Sequence, residues 1–348
     1  MPVFQRAMIA MSGGVDSSVA ALLTLQSGFD CIGATMHLHQ RIGVEDAAAV
    51  AARLNIPFIE LDATEPFRKR VMDHFVHCYE QGLTPNPCID CNRHLKFDYL
   101  LEKALVMGCR YLVTGHYARI QQDPVTGRHL LYKAENKAKD QSYFLCRLTQ
   151  HQLAHTRFPL GSMSKDEVRQ IAEQNGLINA RKRDSQDICF VPDGDYMAFL
   201  QRYTGQDYPA GDFLDLAGKI VGRHRGAVAY TCGQRKGLGL AMGQPVYVCG
   251  KDMAANTVTV GPNDSLFRKA LRANDWNWIS IPELIAPLRC RAKARSRMTE
   301  QDATVYPEEN GFVRVEFDDP QRAMTPGQAI VLYNGESVIG GGTITEIL

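Results

Sequence analysis

Apolar positions along the first third of the chain follow two periods. Contiguous apolar runs at Ala7–Met11, Cys31–Met36, Phe58–Leu61 and Tyr111–Thr114 read as buried strands. Between them, apolar residues recur every three or four positions over Asp16–Ser27, Glu45–Leu54, Pro66–Glu80 and Leu95–Met107, which is helical spacing; Phe67, Val71 and Phe75 mark one face of the third helix. This alternation predicts βαβ units, a parallel sheet, and ligands beyond the carboxyl ends of the strands, where Ser12 and Met36 fall. Ser164-Lys165-Asp166-Glu167 is a capping-box signature for a further helix running to about Asn175. From about Gly205, glycines punctuate short β-rich runs at Ala227–Thr231, Pro245–Cys249 and Thr257–Val260, a small β module. Past about Arg268, the runs Gly311–Phe317, Ala329–Tyr333 and Gly340–Ile347, with turns at Asn310-Gly311 and Asn334-Gly335, predict a small barrel whose final strand is broken at Gly340-Gly341-Gly342. The expected units are 1–204, 205–268 and 269–348.

The first strand runs directly into Ser12-Gly13-Gly14-Val15-Asp16-Ser17-Ser18 and then a helix. Adjacent glycines permit positive φ and close approach to a ligand, and the free N–H groups at a helix start favour an anion. The serines add donors, and Asp16 can hold a cation beside phosphates. No G-x-x-x-x-G-K-[ST] string occurs, so this is not a Walker loop. The alternative is a serine-capped turn with no ligand. Gly237-Leu238-Gly239-Leu240-Ala241-Met242-Gly243 lacks the strand–helix context of a dinucleotide loop and reads as a β turn.

Bulk numbers narrow the class. A chain of 348 residues with 45% hydrophobic and 22% charged residues is an ordinary globular protein of about two or three domains. No apolar run reaches membrane-spanning length, and the start lacks a secretory pattern, so a cytoplasmic protein without a membrane partner is expected. Ten cysteines are too sparse for a disulfide scaffold and read as reduced thiols, some catalytic or metal-binding. The net charge of +1 does not announce nucleic acid, so local charge must carry that argument.

Cys88-Ile89-Asp90-Cys91 lies in Thr84-Pro85-Asn86-Pro87-Cys88, where two prolines suggest a rigid loop before the Leu95 helix. With Arg93, His94 and Lys96 following, depressed thiol pKa values are expected; two ordinary buried cysteines are the plain alternative. No second C-x-x-C exists for a zinc ribbon, so a third ligand would come from elsewhere, with Cys189 in Asp184-Ser185-Gln186-Asp187-Ile188-Cys189 the candidate. His116, in Thr114-Gly115-His116, and the loop Lys139-Asp140-Gln141-Ser142 are chemistry-capable, though a lone histidine is more often structural and a polar loop is as readily solvated. Arg289, Arg291, Lys293, Arg295 and Arg297 alternate with small residues, placing five cations on one strand face at roughly 6.6 Å intervals. That stripe suits a polyanion, or else protects an edge strand. Arg181-Lys182-Arg183, Arg223-His224-Arg225 and Arg235-Lys236 add basic clusters that favour RNA.

Together with Tyr230–Gly239 and Thr325-Pro326-Gly327-Gln328, these strings resemble the tRNA-specific 2-thiouridylase family over almost the whole chain. The resemblance implies an α/β pyrophosphatase-loop domain, a β-rich central domain and a C-terminal β-barrel. It implies ATP with Mg2+ on Ala10, Met11, Ser12, Gly13, Gly14, Val15, Asp16, Ser17, Ser18, Met36 and Gly115. It implies adenylylation of the wobble-uridine C2 oxygen, a persulfide on Cys189, Cys91 as partner nucleophile, and a transient Cys91–Cys189 disulfide. It assigns tRNA contacts to Asn86, Pro87, Cys88, His116, Lys139, Asp140, Gln141, Gln328, Arg295 and Arg297. The implied partners are wobble-uridine tRNAs of the Lys, Glu and Gln type and a persulfide donor protein or inorganic sulfide.

Two departures stand out. Relatives commonly carry a longer insert with paired cysteines where His37-Leu38-His39-Gln40 runs into the Glu45 helix, and Cys88 stands where some carry aspartate. Cys88, Cys91 and Cys189 could therefore hold a [4Fe–4S] cluster instead of the persulfide route. The rivals are an amide-forming ligase of the same ATP-loop group and a tRNA-binding nucleotide sensor.

Overall fold

The computed structural model describes residues 5–39, 43–182 and 188–348. Strands β1 (Arg6–Ala10), β2 (Asp30–His37), β3 (Phe58–Asp62), β4 (Tyr111–Val113), β5 (Ala118–Gln122), β6 (His129–Lys133) and β7 (Thr156–Arg157) lie in the first half. Five of them form a wholly parallel sheet in the order β3-β2-β1-β4-β7. The order reverses between β1 and β4, so the crevice beyond their carboxyl ends is the switch point where such sheets take ligands. Helices α1 (Val15–Gln26) and α2 (Val44–Arg53) cover one face through Val19, Ala20, Ala47 and Val50, within one residue or so of the bounds the apolar period predicts.

The third and fourth helices depart from expectation. The third is α3 (Thr64–Phe67), a π-helical stretch Arg68–Met72 and α4 (Asp73–Glu80). The fourth begins at α5 (Pro87–Asp90), widens into a π-helical stretch Cys91–Leu100 and ends in α6 (Leu101–Val106). Pro87 sits in the first turn, where its missing N–H costs nothing and its fixed φ suits the helix. The C-x-x-C segment is therefore helical, not a loop. The chain continues through α7 (Gln150–Ala154), α8 (Lys165–Gln174) and α9 (Tyr196–Thr204). The Ser164 hydroxyl accepts from Glu167 N–H and the Glu167 carboxylate accepts from Ser164 N–H, the capping box read in the sequence.

The central module is a four-stranded sheet of β8 (Gly211–Leu214), β9 (Ile220–His224), β10 (Tyr247–Asp252) and β11 (Thr257–Gly261), in the order β10-β11-β8-β9. Ala227–Ala229 is a 3-10 turn where a strand was expected. The last unit closes β12 (Phe267–Trp278), β13 (Leu288–Lys293), β14 (Gln301–Pro307), β15 (Val313–Arg322), β16 (Ala329–Asn334) and β17 (Ser337–Ile347) into a barrel through the β12–β17 pairing. Gly340, Gly341 and Gly342 do not break β17. A Cβ there would stand 2.5 Å from the Asn277 carbonyl, 2.6 Å from Cys146 Sγ and 2.6 Å from the Trp276 ring, so the glycines let the strand pass close to its neighbours. The hairpin β5–β6, which lies between β4 and β7 in sequence, joins this sheet beside β17.

Candidate active site

The loop after β1 is built for close approach. Gly13 has φ +72° and lies against Gly43 of the α2 entry, whose carbonyl would be 2.2 Å from an added Cβ. Ser17 and Ser18 hydroxyls donate to the Gly14 carbonyl at 3.0 Å each, and Ser12 N–H donates to Ser17 Oγ at 3.2 Å. Asn179 donates to Ser18 Oγ (2.8 Å) and the Gly13 carbonyl (3.2 Å), and Lys182 Nζ reaches the Gly13 carbonyl and Asp46. Lys182, expected in a basic RNA patch, thus holds the loop; its neighbour Arg181 pairs with Glu173, and Arg183 lies outside the described residues. Gly14 caps α1 without a side-chain bond, which leaves the first N–H groups of the helix directed into the crevice.

Asp16 is already engaged. Lys165 Nζ lies 2.8 and 2.9 Å from its two oxygens and Tyr117 OH donates to Oδ1 at 2.8 Å. One carboxylate, completed by substrate phosphates, fits the way Mg2+ is bound, with Lys165 as the group displaced or shared. Sequence reasoning saw Lys165 only as a capping-box residue; nothing local marks its reach to Asp16. Met36, at the end of β2, and Ala10 are partly buried, and Met11 and Val15 are core residues.

The exit of β4 joins this loop to the thiols. An added Cβ on Gly115 would stand 2.7 Å from Asp16 C and 2.8 Å from Ser17 N, so glycine lets the strand end press on the start of α1. The next residue, His116, is buried: Nδ1 lies 2.7 Å from Thr114 Oγ1, Nε2 lies 3.5 Å from Lys96 Nζ, and Phe97 and Phe158 pack against the ring. Burial first, and Lys96 second, hold His116 well below the usual imidazole range. It is a buried, neutral ring beneath Lys96.

Cys88, Cys91 and Cys189 perturb one another electrostatically, and Lys96 acts on all three. Cys88 on α5 and Cys91 at the head of the π-helical stretch that continues it are about one helical turn apart, and Cys189 is set by its neighbour Phe190, which packs edge-on against Phe67 and Phe75. Crowding by protein raises all three thiols, Cys91 to about 11, with Lys96 as the opposing cation. The expected depression is therefore reversed: desolvation of the thiolate outweighs the nearby charge. Among the described residues no three His, Cys, Asp or Glu side chains converge in a group that could hold a metal ion, so the three thiols do not form a ready cage for the cluster alternative. Ser185, Gln186 and Asp187 lie outside the described residues.

Several expected RNA contacts serve the fold here. Gln328 donates to the Thr84 carbonyl at 2.8 Å and to that of Pro85 at 3.4 Å, fastening the barrel to the segment that leads into Asn86 and Pro87. Asp140 accepts from the N–H groups of Ala134 and Ser142, and Gln141 Oε1 from Tyr117 N–H, while Lys139 stays partly exposed beside them. The basic stripe is shorter than expected: Arg289, Arg291 and Lys293 lie on β13, whereas Arg295 and Arg297 lie in the turn beyond it. Arg289 pairs with Asp318 and Arg291 with Asp302, which already neutralises most of the strand face. In Arg223-His224-Arg225, His224 is buried and both arginines face acids, Asp212 and Asp195.

Three family models match successive stretches of the chain. Residues 5–193 match the model described as tRNA methyl transferase HUP domain, 197–262 the tRNA methyl transferase PRC-barrel domain, and 268–344 the aminomethyltransferase beta-barrel domain. The tRNA-specific 2-thiouridylase MnmA of Symbiobacterium thermophilum is 48% identical over 365 residues, covering 100% of this chain and 94% of that protein. The protein of the same name from Clostridioides difficile is 45% identical over 99% of each chain. A solved 4-thiouridine synthetase–RNA complex with bound ATP superposes weakly, with a TM-score of 0.36 and 16% identity over 54% of this chain and 45% of that one. By full-length identity to these relatives, the chain belongs to the tRNA-specific 2-thiouridylase family.

Proposed function

We propose that this protein is an ATP-dependent tRNA uridine 2-sulfurtransferase, which adenylylates the C2 oxygen of a wobble uridine and replaces it with sulfur, giving 2-thiouridine, AMP and pyrophosphate. The observation that carries the reading is the β4 exit: Gly115 braces the α1 phosphate loop while His116 supports Lys96, whose charge reaches Cys88, Cys91 and Cys189. One strand end thus couples an anion-binding loop to a thiol cluster.

ATP is the activating substrate, its phosphates received by the N–H groups of the Ser12–Ser18 loop beside Ala10 and Met11, with Met36 and Gly115 near its adenosine. Mg2+, held by Asp16, would neutralise phosphate charge. The uridine C2 oxygen attacks the α-phosphorus and the bond to pyrophosphate breaks. The terminal sulfur of a Cys189 persulfide attacks C2 and AMP leaves. Cys91 then attacks the Cys189 sulfur, which releases the thiolated base and leaves a Cys91–Cys189 disulfide for an external thiol to reduce. Burial keeps Cys91 protonated at rest, so Lys96 is the residue that favours its thiolate in this step.

The working division is 1–204 for ATP and catalysis, 205–268 as a tRNA-binding module and 269–348 as the barrel. Asn86, Pro87 and Cys88 flank the target base, and Lys139, Asp140, Gln141, Arg295 and Arg297 are the RNA-facing candidates, with His116 and Gln328 positioning their neighbours. The tRNA partners are of the Lys, Glu and Gln type, with sulfur from a persulfide donor protein or from sulfide, which would load Cys189 by attacking the Cys91–Cys189 disulfide left by the preceding turnover and expelling the Cys91 thiolate. All ten cysteines are free, in keeping with a reducing cytoplasm, and no helix among the described residues is long and apolar enough to cross a membrane.

Incubation with ATP, wobble-uridine tRNA and a sulfur source should yield pyrophosphate and 2-thiouridine by mass spectrometry. Cys91→Ser and Cys189→Ser should abolish thiolation and keep pyrophosphate release. An amide-forming ligase would tolerate both substitutions, and a nucleotide sensor would bind tRNA with neither product; either result rejects the reading.

A further inference from the structure

A second thiol centre stands on α4, apart from the three cysteines above. His74 and Cys78 are one helical turn apart, with His74 Nε2 3.3 Å from Cys78 Sγ. The other ring nitrogen, Nδ1, lies 3.0 Å from Asp90 Oδ2 on the first turn of α5. Thiol, imidazole and carboxylate stand in sequence, the ring bridging a nucleophile and an orienting carboxylate. Asp90 first, then Cys78, raises the His74 imidazole to about 10, so a positive ring faces the sulfur.

The cluster opens on a cavity of about 700 Å³ between the N-terminal unit and the barrel, and Cys78, His74 and Asp90 belong to its wall. The same wall carries Lys69, Arg70, Arg93 and Arg147. Lys69 pairs with Glu65, His74 with Asp90, and Arg93 and Arg147 share Asp275, so with Arg70 these cations still outnumber the carboxylates and the space favours a small anion. Cys78 keeps only 5% of its surface, which suits a donor that presents one protruding atom rather than a bulky electrophile.

We propose that Cys78 is a sulfur-accepting nucleophile that takes sulfane sulfur from a small anionic donor of the thiosulfate type held by this cationic wall. The Cys78 thiolate attacks the outer sulfur, the donor S–S bond breaks, and its electron pair leaves on sulfite. Cys78 becomes a persulfide, the thiol proton leaves with the sulfite as hydrogen sulfite, His74 stays protonated throughout, and no outside oxidant or reductant is consumed. The proposal rests on the thiolation reading, to which it adds a sulfur source.

The test treats the full chain with thiosulfate and follows sulfite release and peptide masses. The expected result is one sulfite per chain and one reductant-labile sulfur on the Cys78 peptide of the unsubstituted protein. Cys78→Ser should lose both, His74→Gln should slow uptake by about 100-fold, and the Cys91→Ser, Cys189→Ser double variant should retain it. Mapping the unsubstituted protein makes the outcome independent of whether a variant folds. Sulfur on Cys91 or Cys189 but not Cys78, or no sulfite at all, overturns the proposal. Thiolation of tRNA from inorganic sulfide separates the two readings: normal 2-thiouridine with Cys78 unlabelled rejects only the acceptor role, whereas a loaded Cys78 with no thiolation from any donor rejects the proposed function.

Discussion

Lys96 is where charge and burial meet. Its ammonium is the group that opposes desolvation at Cys88, Cys91 and Cys189, and His116 sits beneath it as a neutral ring that adds no competing charge. Lys96→Met should therefore push the Cys91 thiol further above about 11 and move its titration to higher pH. Below that midpoint less thiolate is present, so alkylation at fixed pH should slow by roughly fivefold, the effect of about 1 kcal/mol of lost charge interaction. The pH profile of iodoacetamide labelling at Cys91 checks this; an unchanged profile would mean that Lys96 does not tune the thiol. No residue in the C-x-x-C string announces that burial wins, because desolvation depends on which distant segments cover the sulfur.

At the level of elements, the α1 start is held from three sides: by the α2 entry at Gly43, by Asn179 and Lys182 beyond α8, and by the β4 exit at Gly115. Gly115 has no room for a side chain, since the atoms it would meet are backbone and cannot swing aside. Gly115→Ala should displace the first turn of α1 and lower ATP-dependent pyrophosphate release by about 100-fold, the usual cost of a misplacement near 1 Å. Binding of tRNA, measured by filter retention, should change little. Equal loss of both would show that the change unfolds the domain rather than moving the loop. The strand-then-glycine pattern and the helical period were legible in the sequence for this region. The π-helical widening of both thiol-bearing helices was not, because apolar residues repeat there at near-helical spacing whichever carbonyl each N–H selects.

Across the whole molecule, the first and last units are interlocked. Lys133 on β6 is buried with its Nζ on Glu300 and the Gly335 carbonyl, and Arg147 is buried with the Gly341 carbonyl, Thr343 and Asp275. The Tyr143 hydroxyl donates to the Ala329 carbonyl across the same boundary. A chain cut after Leu266 would remove the partners of both cations and leave the β6 edge uncovered. The piece should aggregate, and amides of Ala118–Lys133 should lose protection in hydrogen exchange. A soluble fragment with that hairpin fully protected would show that the barrel is an independent appendage.

Local pattern alone determined the parallel βαβ sheet, the Gly-rich phosphate loop, the Ser164 capping box and the β texture past Gly205, because each is written in the spacing of neighbouring residues. Tertiary structure alone decided that Asp16 is shared by Lys165 and Tyr117, that Gln328 fastens Thr84, that β5–β6 belongs to the barrel, and that Cys78, His74 and Asp90 meet. Apart from the His74–Cys78 contact, which spans one helical turn, those pairings join separate segments of the chain, and the free energy that selects them comes from burial and desolvation, which have no local signature.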